Sequence, residues 1–227
     1  MSKFGVGGAH PGGLHLTKKI LRHERIAPNS FILDVGCGTG QTAAYLASRY
    51  LANVVGMDIN PIMVTKAKER MAKQHLPVEI IQGSIENCPF PDQTFDLILS
   101  ESVLAFVDKP QALKEIYRVL KRGGRFIANE LTSNYQLPPA NKMEICEFYG
   151  LDSVLLEKEW LHLLESAGFK HIHIRKQNPP MLQYNPASDF QQSSFIEPEL
   201  YPVMNQHFQI MMKYKGTLDY RVFSGSK

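Results

Sequence analysis

Cysteine is scarce in this sequence, with Cys37, Cys88 and Cys146 the three among 227 residues. An odd count without Cys-x-x-Cys pairs or Cys/His clusters argues against a disulfide framework and against a structural zinc site. Long apolar runs are missing as well, and none approaches the ~18 residues that a membrane span requires. The opening stretch MSKFGVGGAHPGG holds no apolar core of the kind a secretory leader carries. Nor does one sign of charge dominate: 25 Lys and Arg stand against 22 Asp and Glu. The densest basic runs, KKILRHER (18–25) and KRGGR (121–125), read as a solvated helix face and a helix end rather than a nucleic-acid surface. These absences predict a soluble cytoplasmic protein with free thiols, no metal, and neither a nucleic-acid nor a membrane partner.

What is present is a rhythm of short apolar runs and helical patterns. The composition, 44% hydrophobic and 21% charged, suits one domain that buries its core without crosslinks. Residues 31–36, 53–58, 78–83, 95–100 and 125–131 read as strands, with 171–176 and 218–224 as two more at the end. Between them, 42–50, 61–75, 111–121 and 156–169 carry helical spacing; Pro61 opens the second, and Gly123 stops the third. Alternation of this kind means crossover connections and a mostly parallel sheet, so the expected fold class is α/β. Two stretches interrupt the pattern, 132–153 and 178–216, the latter ending in a further helical segment, LYPVMNQHFQIMMKYK. Connections of that length in a compact domain are usually functional, and here they are expected to cover a substrate.

The stretch ILDVGCGTGQ (32–41) places Gly36, Gly38 and Gly40 directly after the first strand. Glycines there permit positive φ and let a ligand touch the main chain, while the following helix N-terminus favours an anionic group. A dinucleotide would require G-x-G-x-x-G, but the third position of that phase is Gln41. Asp58 ends the second strand, 18 positions after Gly40, where an acid accepts hydrogen bonds from a ribose diol.

LDVGCGTG resembles the first motif of the class I S-adenosylmethionine-dependent methyltransferases. Residues 81–126 resemble the middle segment of the type 11 and ubiquinone/menaquinone biosynthesis methyltransferases through Pro89-Phe90, Phe95-Asp96, Glu115, Arg118 to Lys121 and Gly123-Gly124. The resemblance spans roughly residues 12 to 176. It implies a Rossmann-like class I methyltransferase sandwich, with a mostly parallel seven-stranded sheet, helices on both faces and added cap elements. It also implies one domain over 1–227, comprising an N-terminal lid or helix (1–28), a cofactor-binding core (29–131) and caps at 132–153 and 178–216.

The implied cofactor is S-adenosyl-L-methionine, held by Asp34, Gly36, Cys37, Gly38, Gly40, Asp58, Ile59, Ser84, Ile85 and Ser100. Ser84 stands where the family usually has an acid for the adenine amino group, and Ile85 is placed to cover the adenine face. Asp34 by resemblance braces the turn or approaches the methionine amine. The acceptor is expected to be a small molecule meeting Glu101, Tyr135 and Tyr149, with Glu101 and His10 as catalytic candidates. Methyl transfer needs a base only when the nucleophile arrives protonated, so no obligatory catalytic signature is expected. NPPM (178–181) lies too late in the chain to be a catalytic Asn-Pro-Pro-Tyr, and His171-x-His173 lacks a third metal ligand. Two other readings stay open here: a non-catalytic module that binds the cofactor or its demethylated product, and a nicotinamide oxidoreductase. The chain is expected to act as a monomer or homodimer.

Overall fold

The computed structural model describes residues 12–176 and 201–227, the side chains of 201–204 excepted. Helix α1 (Gly13–Leu21) precedes a run of β1 (Phe31–Val35), α2 (Gln41–Tyr50), β2 (Asn53–Asp58), α3 (Pro61–Gln74) and β3 (Glu79–Gln82). Then come β4 (Phe95–Glu101), α4 (Lys109–Val119), β5 (Leu120–Ser133) and α5 (Pro139–Tyr149). The short β6 (Leu155–Leu156), α6 (Glu157–Ser166), β7 (Lys170–Lys176), α7 (Tyr201–Lys213) and β8 (Leu218–Ser226) complete the order. Local chemistry sets several of these starts. Asn60 caps α3, its side chain accepting from the Ile62 and Met63 N–H groups, and Pro61 follows at the first helical position. Asp108 caps α4 by accepting from the Gln111 N–H.

The main sheet runs β3-β2-β1-β4-β5-β8-β7, with β6 pairing off this path on β5. Strands β1 to β5 are mutually parallel, whereas β8 runs antiparallel between β5 and β7. The seven expected strands are therefore present, in a mostly parallel sheet. Strand order reverses between β1 and β4, which puts the ligand crevice at their carboxyl ends.

Alternate residues of the central strands feed two cores. Ile98, Phe126 and Phe223 pack with Leu113, Ile116, Trp160 and Leu164 of α4 and α6. Their neighbours Leu99, Ile127 and Val222 pack with Leu21, Leu46 and Ala67 of α1 to α3. A third cluster, Leu137, Ile145, Val154, Ile210 and Tyr214, joins α5 to α7 beyond the end of β5. The interruption at 132–153 thus folds into the end of β5 and α5, and part of the later one into α7. Residues 177–200 lie outside the described residues, as do 1–11.

Two helices end at least two residues before the sequence expectation. The helix expected at 111–121 spans 109–119, because Leu120 already pairs with Phe95 and opens a strand of 14 residues. The helix expected at 156–169 ends at Ser166, where Gly168 at φ 99° turns the chain into β7. Among the described residues, no helix is long and apolar enough to cross a membrane.

The Glu115-x-x-Arg118 pair is a structural pin. Arg118 donates to Glu115, to Asp92 and to the carbonyls of Cys88 and Phe90, while Glu115 also accepts from the Cys88 N–H. Helix α4 is thereby tied to the loop that leads into β4.

Candidate functional site

The glycine turn joins β1 to α2. Gly36, Gly38 and Gly40 have φ of 63°, 54° and 75°, a region that L side chains seldom adopt. They are required for different reasons. A Cβ on Gly36 would come within 2.3 Å of Val103 Cγ2, and one on Gly40 within 2.6 Å of Met71 Cε. A Cβ on Gly38 would meet nothing within 4 Å, so the chain is bare there towards open space. Cys37, between them, is buried and packs against Gly56, and burial raises its thiol well above the usual range, which leaves it protonated.

Three carboxylates converge on this turn. Asp34 is only 3% exposed; the Ala43 N–H of α2 bonds its carboxyl, and its Oδ2 has no partner among the described residues. Burial first, then the charges of Glu101 and Asp58, push its pKa well above the ordinary carboxylate range. Asp58 bridges the turn to α3: Oδ2 accepts from the Gly38 N–H and Oδ1 from the Asn60 N–H, each at 2.8 Å. Glu101 ends β4 and accepts from Thr17 Oγ1 of α1 at 2.7 Å and from Thr42 Oγ1 of α2 at 2.9 Å. Helix α1 is thus fastened over the same corner as the glycines.

The other expected cofactor positions fall on the neighbouring strand ends. Ile59 follows β2 and is 67% exposed, an apolar side chain offered at the crevice rim. Ser84 caps the single 3₁₀ turn Ile85–Asn87, accepting from the Glu86 N–H and donating to the Glu86 carboxylate. Ile85 is 3% exposed and belongs to the α4-side core. Ser100 is buried and donates to Glu130 Oε1 at 3.3 Å.

Of the two tyrosines expected to meet the acceptor, Tyr135 is exposed after β5, whereas Tyr149 on α5 is half-buried and bonded to His207 Nδ1 on α7 at 2.8 Å. Burial pushes the Tyr149 hydroxyl up to about 12 and lowers His207, so both are neutral near pH 7. Tyr220 on β8 is held protonated by burial and by its neighbours Tyr149, Glu130 and Asp219. The structure therefore brings Glu101 to the glycine corner and Tyr149 to the contact between α5 and α7. His10 lies outside the described residues.

Sequence reasoning missed Thr17, Thr42, Ser102, Glu130, His207 and Tyr220. Ser102 stands at φ 60° with a buried hydroxyl that has no partner among the described residues. Positive φ on a non-glycine residue is a local backbone cost held in place by its surroundings, and φ is not written in the residue type.

Comparison with known proteins fits this geometry. A family model described as "Methyltransferase domain" matches residues 33–128, from the first strand to the fifth. The "Uncharacterized methyltransferase YodH" of Bacillus subtilis is 39% identical over all of this chain and 97% of its own length. The chain belongs to the methyltransferase type 11 family. Its cofactor is S-adenosyl-L-methionine. Phosphoethanolamine N-methyltransferase 1 of Arabidopsis thaliana is 30% identical over 74% of this chain but only 34% of its own length. The fold is shared with phosphoethanolamine N-methyltransferase 2 of Haemonchus contortus, solved with S-adenosyl-L-methionine. That match has a TM-score of 0.84 at 19% identity, over 96% of this chain and 53% of that one. Against these longer relatives the chain spans between a third and about half of their length.

Proposed function

We propose that this methyltransferase moves the methyl group of S-adenosylmethionine to a small-molecule acceptor bound between the end of β4 and the α5–α7 cap. The observation that carries the reading is Asp34: a buried carboxylate oxygen left without a partner beside a bare glycine backbone suits the cationic amine of the cofactor. When bound, the cofactor supplies an electrophilic methyl on a sulfonium, so the protein has only to align the acceptor and exclude water.

Asp34 holds the amine, and the open face of Gly38 lets the ligand lie against the main chain. Asp58 presents its carboxylate to the ribose hydroxyls from the end of β2. Ile59 covers an apolar face of the nucleoside. Glu101 tethers α1 beside the site through Thr17. With both its oxygens already accepting hydroxyl protons, Glu101 serves better as a tether and a counter-charge than as a proton acceptor. Tyr149, Tyr135 and Tyr220 give the acceptor an aromatic wall.

The test uses cofactor labelled in the methyl group, incubated with small-molecule, protein and nucleic-acid fractions of a cell extract. Label recovered in small molecules supports the reading. Label confined to protein or nucleic acid contradicts the acceptor class, and cofactor binding with no transfer to any fraction favours the non-catalytic module.

A further inference from the structure

Glu130 is a second buried carboxylate near the crevice, and none of the roles above uses it. It lies in β5, fully removed from solvent. Its Oε1 accepts from Ser100 Oγ at 3.3 Å and from the N–H groups of Val103 and Leu104 at 3.1 and 3.0 Å, while Oε2 accepts from the Ala105 N–H at 3.3 Å. Three consecutive amides at the start of the single turn Leu104–Phe106 therefore converge on one side chain from another strand. That turn follows Ser102, whose backbone is strained and whose hydroxyl is unspent. The residue that caps it, Val103, is the side chain pressed against Gly36 of the glycine turn. A continuous set of contacts thus runs from Glu130, through the amides it accepts from, to the main chain that faces the cofactor.

We propose that Glu130 is a positioning residue: its ionised carboxylate sets the Ser102–Phe106 turn against the glycine turn and thereby tunes cofactor affinity. The inference rests on the cofactor lying on that turn. A carboxylate accepts from four donors at once, whereas an amide sets its own N–H hydrogens against one of these N–H groups and a protonated carboxyl is a weaker acceptor with one position taken by its hydrogen. Loss of the charge therefore loosens the turn without removing atoms from the core.

Protonation is within reach, because burial raises Glu130 to about 7 against the pull of its four hydrogen bonds. The surrounding charges are otherwise engaged. Tyr220 of β8 faces Glu130 as a neutral phenol. Arg221, opposite Glu130 in the β5–β8 ladder, donates to Glu157 and Asp219. The carboxylate of Asp152, whose N–H donates to the Ala105 carbonyl, is held by Lys109. Glu101 is turned to α1 and α2.

The test is titration calorimetry of S-adenosylhomocysteine against the full chain, wild type and Glu130→Gln, across neutral pH. At about pH 8.5 the variant is expected to bind about tenfold more weakly, the loss of one charge-assisted hydrogen bond. At about pH 5.5, where the wild-type carboxyl is protonated too, the two affinities converge. Asp34 titrates in both proteins, so their difference isolates Glu130. Equal affinities at the higher pH, or a gap that does not change with pH, would overturn the proposal. No binding to the wild type would overturn the cofactor site itself. Should Glu130→Gln not fold, Ser100→Ala removes one donor from the ionised form and must move the midpoint of the wild-type pH dependence upward. An unmoved midpoint contradicts the role.

Discussion

Asp34 and Gly36 are two positions apart in sequence and differ in what each does. Asp34 sits buried with an unspent oxygen and a raised pKa. An acid raised in this way stabilises the fold at low pH and loses that stability as pH climbs from its unfolded value through its folded one. Asparagine has the same shape without the charge. Asp34→Asn should therefore unfold at a higher temperature than wild type at neutral pH without ligand, by roughly 1–3 kcal/mol. It should also lose most of the stabilisation that S-adenosylhomocysteine confers. A variant less stable than wild type, with ligand stabilisation intact, would place the carboxylate in the fold rather than the site. At Gly36 the expectation is reversed. Alanine there is strained by the positive φ and collides with Val103, a cost of about 2–4 kcal/mol. Thermal unfolding should fall by roughly 5–15 °C. At Gly38, where a Cβ meets open space, alanine should cost less stability and more ligand affinity than at Gly36.

Among the elements, α4 depends on one side chain outside the hydrophobic core. Arg118 joins it to the loop before β4 through Glu115, Asp92 and two carbonyls. Arg118→Ala should lower stability by about 2 kcal/mol, since the guanidinium is partly exposed and its ion pairs are screened. The Glu115 carboxyl lies below its usual pKa chiefly because of its hydrogen bond to Arg118. Such a group contributes stability above its unfolded pKa and loses it as pH falls through the folded value, so the gap between variant and wild type should close in acid. Urea midpoints measured across acidic and neutral pH check both statements. Helix α1 makes a parallel case: Thr17→Val removes the bond to Glu101 and should expose 13–21 to protease before the core opens.

The elements were legible in the sequence to the extent that their causes are local. Apolar runs, Pro61 and the three glycines named the strands, a helix start and the tight turn between β1 and α2. The boundary between α4 and β5 was not legible, because Leu120 is drawn into the sheet by Phe95, 25 positions away in sequence. The Glu130 cap was hidden for the same reason: its donors lie 25 to 30 positions earlier and meet it only when β4 and β5 pair. Thr17 and Glu101 are 84 residues apart. Sequence periodicity shows which face of a strand is apolar, but not which polar side chains two strand ends bring together.

For the whole molecule, the sheet order gathers the candidate cofactor positions towards the carboxyl ends of β1, β2, β3 and β4, with α1 bonded to the end of β4 through Thr17 and Glu101. The central claim is that the glycine turn of this methyltransferase holds an adenosyl cofactor with Asp58 as its ribose contact. Thermal unfolding with S-adenosylmethionine, S-adenosylhomocysteine and NAD in turn, for wild type and Asp58→Ala, tests it most directly. A ligand at about a hundred times its dissociation constant adds about 2.7 kcal/mol, roughly 5–10 °C for a chain of this size. The account predicts that shift for both adenosyl compounds with wild type, a much smaller one with Asp58→Ala, and none with NAD. Stabilisation by NAD alone, or equal adenosyl shifts in the two proteins, would contradict it.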